Sequence, residues 1–411
     1  MLRLSALCAV LLLPRVSLCA GDDDYTAESF QADTIAHIEK DAADGDAQEQ
    51  YHIGVLYLRG KAVEQNDKKA INWLTKAAEQ GYAPAQVRLG TIYMGGYSVS
   101  PDRTKAEKWF LEAAKKGNVD AERSLGNLYG EAAGPGSSKK GAPAGLAKSH
   151  EWFEKAADQG DIESEYHLGD LAWAGWDGKP DRERARSWYT LAAKDGYAPA
   201  QYALAQLLFE DNAVGAAYKW FEKAAEQGWV PALPRVALMR EEGRGASKDD
   251  GEAWKWWLKA AEANDAEAQY RVGYAYRRGA LGQAKNPTEA VAWLKKAAAS
   301  DERRAELELG LMYQLGEGTE KSDEEGERWI RKAAVQGFPE ARRVLGLMYA
   351  EGKGGFSVDR VQACAWLGLA TEGGDAPAKQ AFDDLRGQLN ARELAQVVTI
   401  MGRYRGVKSS R

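Results

Sequence analysis

Histidine and cysteine carry much of the catalytic and metal chemistry of proteins, and this 411-residue chain holds four of the first and three of the second. His37, His52, His150 and His167 stand far apart in sequence; His52 and His167 each lie two residues before a glycine, Gly54 and Gly169, and read as equivalent places in separate units. No H-E-x-x-H, C-x-x-C or G-x-S-x-G spacing occurs, and neither a phosphate-binding P-loop nor a dinucleotide glycine fingerprint is present. The many Asp and Glu residues could pair for acid–base work, but on helices this charged they read as a solvated face. The expectation is no enzyme, no metal site and no cofactor. What remains is recognition by aromatic side chains. Of 14 tryptophans, Trp173, Trp176, Trp229, Trp254 and Trp257 fall outside a regular series and crowd the middle of the chain. Tryptophan is enriched in interface hot spots, so these five are the candidate partner-binding residues. They suit a second reading equally, the repacking of a locally irregular core, with Trp173 compensating for Ala172.

The other nine tryptophans, Trp73, Trp109, Trp152, Trp188, Trp220, Trp256, Trp293, Trp329 and Trp366, recur at the spacing of two-helix repeats. Four residues after each stands an alanine, from Ala77 to Ala370, on the same helical face. Eight residues after each stands Gly, Asn or Asp, as in Gly81, Asn264 and Asp301; these types tolerate a left-handed backbone and end a helix. Upstream, a small residue, a glycine and an aromatic (Ala85, Gly90, Tyr93; Ala121, Gly126, Tyr129) mark a first helix. A turn such as Gly60 to Gln65 joins the two, with Asn66 or Asp67 placed to cap the second. Helices this short are marginal alone, so stacked neighbours must supply one continuous core. The registered tryptophans are expected in that core, and Cys364 beside Trp366 is expected to be an inert buried thiol.

The run from Ala268 through Tyr270, Gly273 and Tyr276 to Trp293, Ala297 and Ala298 resembles the Sel-one-like repeat, a relative of the tetratricopeptide repeat. Nine copies cover residues 46–374. The resemblance implies an all-α, right-handed α-solenoid of helix-turn-helix repeats whose concave groove receives a protein or peptide partner. It also implies a scaffold or adaptor role. Some exported members carry a disulfide in every repeat, and those cysteines are absent here. Residues 21–45 read as a capping helix ending at Gly45, and residues 375–411 as polar C-terminal capping helices and a tail.

The copies also depart from their own rule. The first-helix aromatic becomes Ala172, Leu208 and Arg240 in the three middle units, and the glycine becomes Ala205 and Ala237 in two of them. The third unit carries seven extra residues within Gly130 to Lys148, read as a surface loop with Lys139 and Lys140 solvated; the fifth is four short around Asp211 to Val214.

Residues 1–20 read as a cleaved signal peptide: Arg3, an apolar run from Leu4 to Leu13 too short to span a bilayer, and small residues near Ala20. Leu18 directly before Cys19 argues against lipidation there. The net charge of −6 becomes more negative once Arg3 and Arg15 leave with the leader. Such a surface repels phosphate backbones, so nucleic acid is an unsuitable partner. No second apolar stretch approaches a membrane span. The sequence therefore points to an exported, periplasmic scaffold with possible envelope association. An inhibitor of a secreted toxic effector such as a lipase fits the same residues, and so does a glycan- or peptidoglycan-binding module.

Overall fold

The computed structural model describes residues 32–60, 62–95, 99–132 and 142–405. The apolar leader, Cys19, Lys139 and Lys140 lie outside them. Every regular element among the described residues is helical. A single helix, α1 (Ala32–Asp44), precedes nine hairpins. These are α2 and α3 (Ala47–Arg59, Asp67–Glu79), α4 and α5 (Ala83–Gly95, Arg103–Ala114), α6 and α7 (Val119–Ala132, Ala142–Asp158), and α8 and α9 (Ile162–Ala174, Arg182–Lys194). Then come α10 and α11 (Ala198–Glu210, Val214–Glu226), α12 and α13 (Leu233–Glu242, Asp250–Glu262), and α14 and α15 (Ala266–Arg278, Pro287–Ala299). The last two hairpins are α16 and α17 (Arg303–Leu315, Asp323–Val335) and α18 and α19 (Pro339–Glu351, Arg360–Glu372), followed by α20 (Ala378–Arg386) and α21 (Ala391–Arg405). The chain is an all-α solenoid. It divides into two compact units at Leu204 and Ala205, inside α10.

All nine residues eight after the registered tryptophans adopt positive φ, including Asn264 at 66° and Asp301 at 57°, so the helix-ending signal acts as a left-handed stop. Asn66 is the cap of α3, accepting from the Lys69 N–H. Seven of the nine registered tryptophans, however, are only half-buried; Trp256 and Trp366 alone are buried. The core position is the next residue: Leu74, Phe110, Phe153, Tyr189, Phe221, Trp257, Leu294, Ile330 and Leu367, all buried. Helix geometry explains the difference. The residue after the tryptophan points at its own first helix, where glycine leaves no Cβ in the way. A Cβ added at Gly90 would stand 2.4 Å from the Phe110 ring, and one at Gly126 2.6 Å from Phe153. The tryptophan lies one step round the helix, too large for the gap beside the alanines. In six repeats a lysine three residues on lies over the indole, as Lys76 over Trp73 at 4.1 Å and Lys296 over Trp293 at 3.8 Å, the geometry of a cation–π contact.

A second series binds each repeat to the one before it. Four residues before the first-helix glycine stands a polar residue, Gln50, Gln86, Glu122, Glu165, Gln201, Gln269, Glu306 or Arg342, and all eight are buried. The side-chain nitrogen donates to a carbonyl near the end of the preceding second helix: Gln50 to Ala42 at 3.0 Å, Gln86 to Ala78 at 3.0 Å, Gln269 to Ala261 at 3.2 Å, Arg342 Nε to Ala334 at 3.0 Å. Each of these carbonyls also accepts the backbone N–H three residues on, as Ala78 does from Gly81 and Ala334 from Gly337, so the side chain takes its second lone pair. In two of the three glutamate copies the roles reverse: Glu122 accepts from Gln159 at 2.6 Å, and Glu306 accepts from Gln336 at 2.9 Å and pairs with Lys332 at 2.8 Å, whereas Glu165 keeps one buried oxygen without a hydrogen-bond partner.

At the N-terminal end, Ile38 and Ala42 of α1 are buried with Ile53 and Leu56. At the C-terminal end, Met401 and Phe382 lie against Gly368, and Tyr404 stands 4.7 Å from Trp366. Cys364 is buried and free, and burial raises its thiol pKa. The insertion of the third unit is not all loop. Its last residues extend α7 to 17 residues, where most second helices have 13.

Two outcomes follow from this packing. Gly126→Ala should destabilise the fold by about 1–3 kcal/mol, because the methyl group meets a ring that cannot retreat. Gly402→Ala, with nothing within 4 Å of the added carbon, should be neutral or slightly stabilising; urea unfolding of both variants checks the contrast. Burial holds the Glu306 carboxyl above its ordinary value against the pull of Lys332 and Gln336. An acid with a raised folded-state pKa favours the fold below its unfolded pKa and loses that contribution as pH rises through the folded value. Glu306→Gln should therefore match the parent near pH 4 and be the more stable protein near pH 8; a difference independent of pH would contradict this.

Candidate interaction surface

The five tryptophans outside the regular series occupy four different kinds of position. Trp257 is 1% exposed and fills the core position of its repeat, with its Nε1 donating to Glu241 at 3.0 Å. It is unavailable for contact in the folded chain. Trp176 follows Gly175, which ends α8 at φ 77°. Its ring stacks on His150 at 4.0 Å and packs with Phe153, Leu168 and Leu171. Trp229 caps the 3-10 turn Val230–Ala232, its N–H bonded to the Ala224 carbonyl at 3.0 Å. Tyr82, Tyr197 and Phe338 make the same bond to Ala77, Ala192 and Ala333, so Trp229 belongs to a second regular series. Trp254 is half-buried, edge-on to Tyr276 at 5.1 Å. Trp173 is half-buried with the Arg182 guanidinium 5.4 Å from its ring centre. Trp173 and Trp176 lie in the first compact unit, Trp229, Trp254 and Trp257 in the second.

Comparing the copies exposes a row of contacts that single motifs conceal. In four repeats the residue three before the first-helix glycine meets the residue that opens the next repeat. Tyr51 packs on Tyr82 at 5.5 Å, and Tyr166 on Tyr197 at 5.5 Å. Arg123 instead pairs with Asp161, and Arg343 with Asp375 at 3.1 Å. Aromatic meets aromatic, or cation meets anion. Arg123 also takes Asp120 and, at 3.4 Å, Glu163.

On α8 this row broadens into a polar and aromatic cluster. Tyr189 rises from α9 with its ring against Gly169, and its hydroxyl donates to Asp170 Oδ1 at 2.7 Å. Tyr166, four residues before Asp170 on the same helix face, lies beside it. His167 stacks on Phe153 at 4.9 Å and places Nδ1 3.9 Å from Asp170. The Asp170 side chain is 39% exposed, yet burial raises its pKa against both phenols and His167. Burial, with Asp170 nearby, raises the Tyr166 and Tyr189 phenols, while His167, 3.9 Å from Glu163, and then Arg123 lower the Glu163 carboxyl against burial. The fourth repeat departs from the others on its second helix too. Where most copies place a lysine over the indole, it has Leu191, 43% exposed and three residues from Trp188. Neither feature emerges from residue type alone; both need the repeats laid over one another.

Among the described residues, no group of three or more His, Cys, Asp or Glu is placed to hold a metal ion, and no helix is long and apolar enough to cross a membrane. Nine consecutive segments, 50–82, 83–118, 119–161, 162–197, 198–229, 231–265, 266–302, 303–338 and 339–375, match the model of the Sel1 repeat. Among solved structures, the chain is similar to a protective antigen present in uropathogenic Escherichia coli strains and displaying an SLR fold. The two are 31% identical over 91% of this chain and 79% of that one, with a TM-score of 0.69. A Sel1 repeat protein from Oxalobacter formigenes is 29% identical over 86% of this chain and 92% of that one, with a TM-score of 0.38. No curated protein matches the chain in sequence. With nine repeats spanning most of its length, this chain belongs to the Sel1 repeat family.

Proposed function

We propose that the chain is an exported, non-enzymatic repeat scaffold that holds one protein partner on the solvent-reaching face of its first helices, as an adaptor in an envelope or regulatory complex. The observation that carries this reading is the α8 surface. Tyr166, Trp173 and Tyr197 are half-buried there beside Asp170 and His167, in the stretch where the repeat abandons its own pattern. Aromatic side chains already held in place lose little freedom on binding, which is why they dominate interface energetics. Trp173 remains the contact candidate on this face; Trp254 lies on α13, a second helix of the other unit, and Trp176 and Trp229 hold the turns beside them. Export rests on the apolar leader from Leu4 to Leu13. The Escherichia coli protein of similar structure is a protective antigen, which accords with a chain that reaches the envelope.

The test is affinity capture from envelope extract by the chain without residues 1–20, run beside a Trp173→Ala variant whose circular dichroism matches the parent. One protein captured stoichiometrically by the parent, and at least about tenfold less by the variant, is the expected result, the loss of roughly 1.4 kcal/mol or more. A captured secreted hydrolase whose activity falls on binding would make the chain an inhibitor of that effector. Binding of purified wall fragments, with no protein retained, would overturn the scaffold reading.

A further inference from the structure

We propose that the α8 face is an acceptor for a basic side chain, lysine or arginine, of the protein partner, with Asp170 as its counter-ion and the rings of Tyr166 and Tyr197 beside it. This rests on the scaffold reading and names the chemistry that reading leaves open. Four observations carry it. The position after the first-helix glycine holds Val55, Thr91, Asn127, Gln206, Leu238, Tyr274, Leu311 and Leu347 in the other eight repeats; Asp170 is the one charged residue in the set. Its one ionic partner among the described residues is His167, at 3.9 Å and charged only when protonated; no lysine or arginine pairs with it, and Arg123 at the start of the same face is taken by Asp120, Asp161 and Glu163. The carboxylate is nevertheless reachable, with 39% of its side chain exposed. The half-buried rings of Tyr166 and Tyr197, edge-on at 5.5 Å, supply the electron-rich faces that draw a cation beside a carboxylate.

The simpler account is that Asp170 serves only to accept the Tyr189 hydroxyl. That hydroxyl needs an acceptor and not a charge, and the second, third and fifth repeats avoid the need altogether with Phe110, Phe153 and Phe221. A neutral amide, such as Asn127 at the equivalent place, would satisfy the phenol without the cost of desolvating an anion. The arrival of a cation turns that cost into a charge-assisted hydrogen bond. The chain's net charge of −6 steers basic partners towards it in the same sense.

The test titrates the full chain with N-acetyl-arginine amide and N-acetyl-lysine amide, following the tyrosine ring signals by NMR, with N-acetyl-norleucine amide as the neutral control. Asp170→Asn keeps an acceptor for the Tyr189 hydroxyl and should weaken the basic probes about tenfold or more. Asp158→Asn, an exposed acid on α7, should change them less than about twofold, as a loss of bulk charge alone would. Tyr189→Phe keeps the ring on Gly169 while freeing Asp170, and should leave binding intact or tighter; it keeps the test decisive if Asp170→Asn unfolds. Equal affinity in the parent and Asp170→Asn, or equal binding of the neutral probe, would overturn the proposal. Since the probes need no partner, capture of a protein without probe binding removes this site alone, and probe binding without capture removes the scaffold reading alone.

Discussion

Seven of the nine hairpins close only as far as their first-helix glycine allows. With no Cβ at Gly90, Gly126 or Gly169, the ring of Phe110, Phe153 or Tyr189 can lie directly on the facing backbone, and the two helices approach more closely than ordinary side chains permit. That approach turns the residue after each registered tryptophan into the core and sends the tryptophan itself to the edge, where a lysine stem covers it. It also leaves a hairpin with one closed face and two unfinished edges. A single repeat is therefore not a fold; its edges are completed by neighbours, the buried polar residue reaching back to the previous helix and the capping residue meeting the tyrosine or arginine before it.

Much of this was legible in the sequence. The nine left-handed stops, the helix pairs and the α3 cap all follow from residue type at fixed spacing, because backbone conformation constrains type directly. Facing is harder to read. Recurrence shows that Trp73 or Trp293 is constrained but not which way it points, and its neighbour is equally apolar, so the core assignment slipped by one residue. The buried polar series was hidden for the opposite reason: Gln86, Glu306 and Arg342 look like surface, and only their hydrogen-bond partners on the neighbouring helices make burial tolerable. Trp229 seemed irregular because its series is mixed, with aromatics in some copies and acids such as Asp161 and Asp265 in others.

The middle repeats relax the rule without abandoning the architecture. Ala205 and Ala237 replace glycine, Trp257 fills a core place held elsewhere by smaller side chains, and Leu233 stands where other repeats bury a polar group. Trp257 and Trp176 are accounted for by these local repairs: one fills the core and satisfies its N–H on Glu241, the other fastens a turn to His150. Aromatic enrichment in a sequence is thus a mixed signal in which packing and recognition overlap, and burial separates them only one residue at a time.

Asp170 separates them on different grounds. A side chain that serves packing need only match the volume and hydrogen-bonding capacity of its surroundings, and the other repeats meet that need with Thr91, Asn127 or Leu311. A charge where an amide would accept the same hydrogen bond, with only a histidine 3.9 Å away to balance it, exceeds what packing requires and works against stability. A repeat array makes such an exception visible, because eight copies of the same position supply the reference. In a repeat array the strongest indication of function is a residue whose cost the fold has no reason to carry, and by that criterion the α8 carboxylate outranks every tryptophan in the chain.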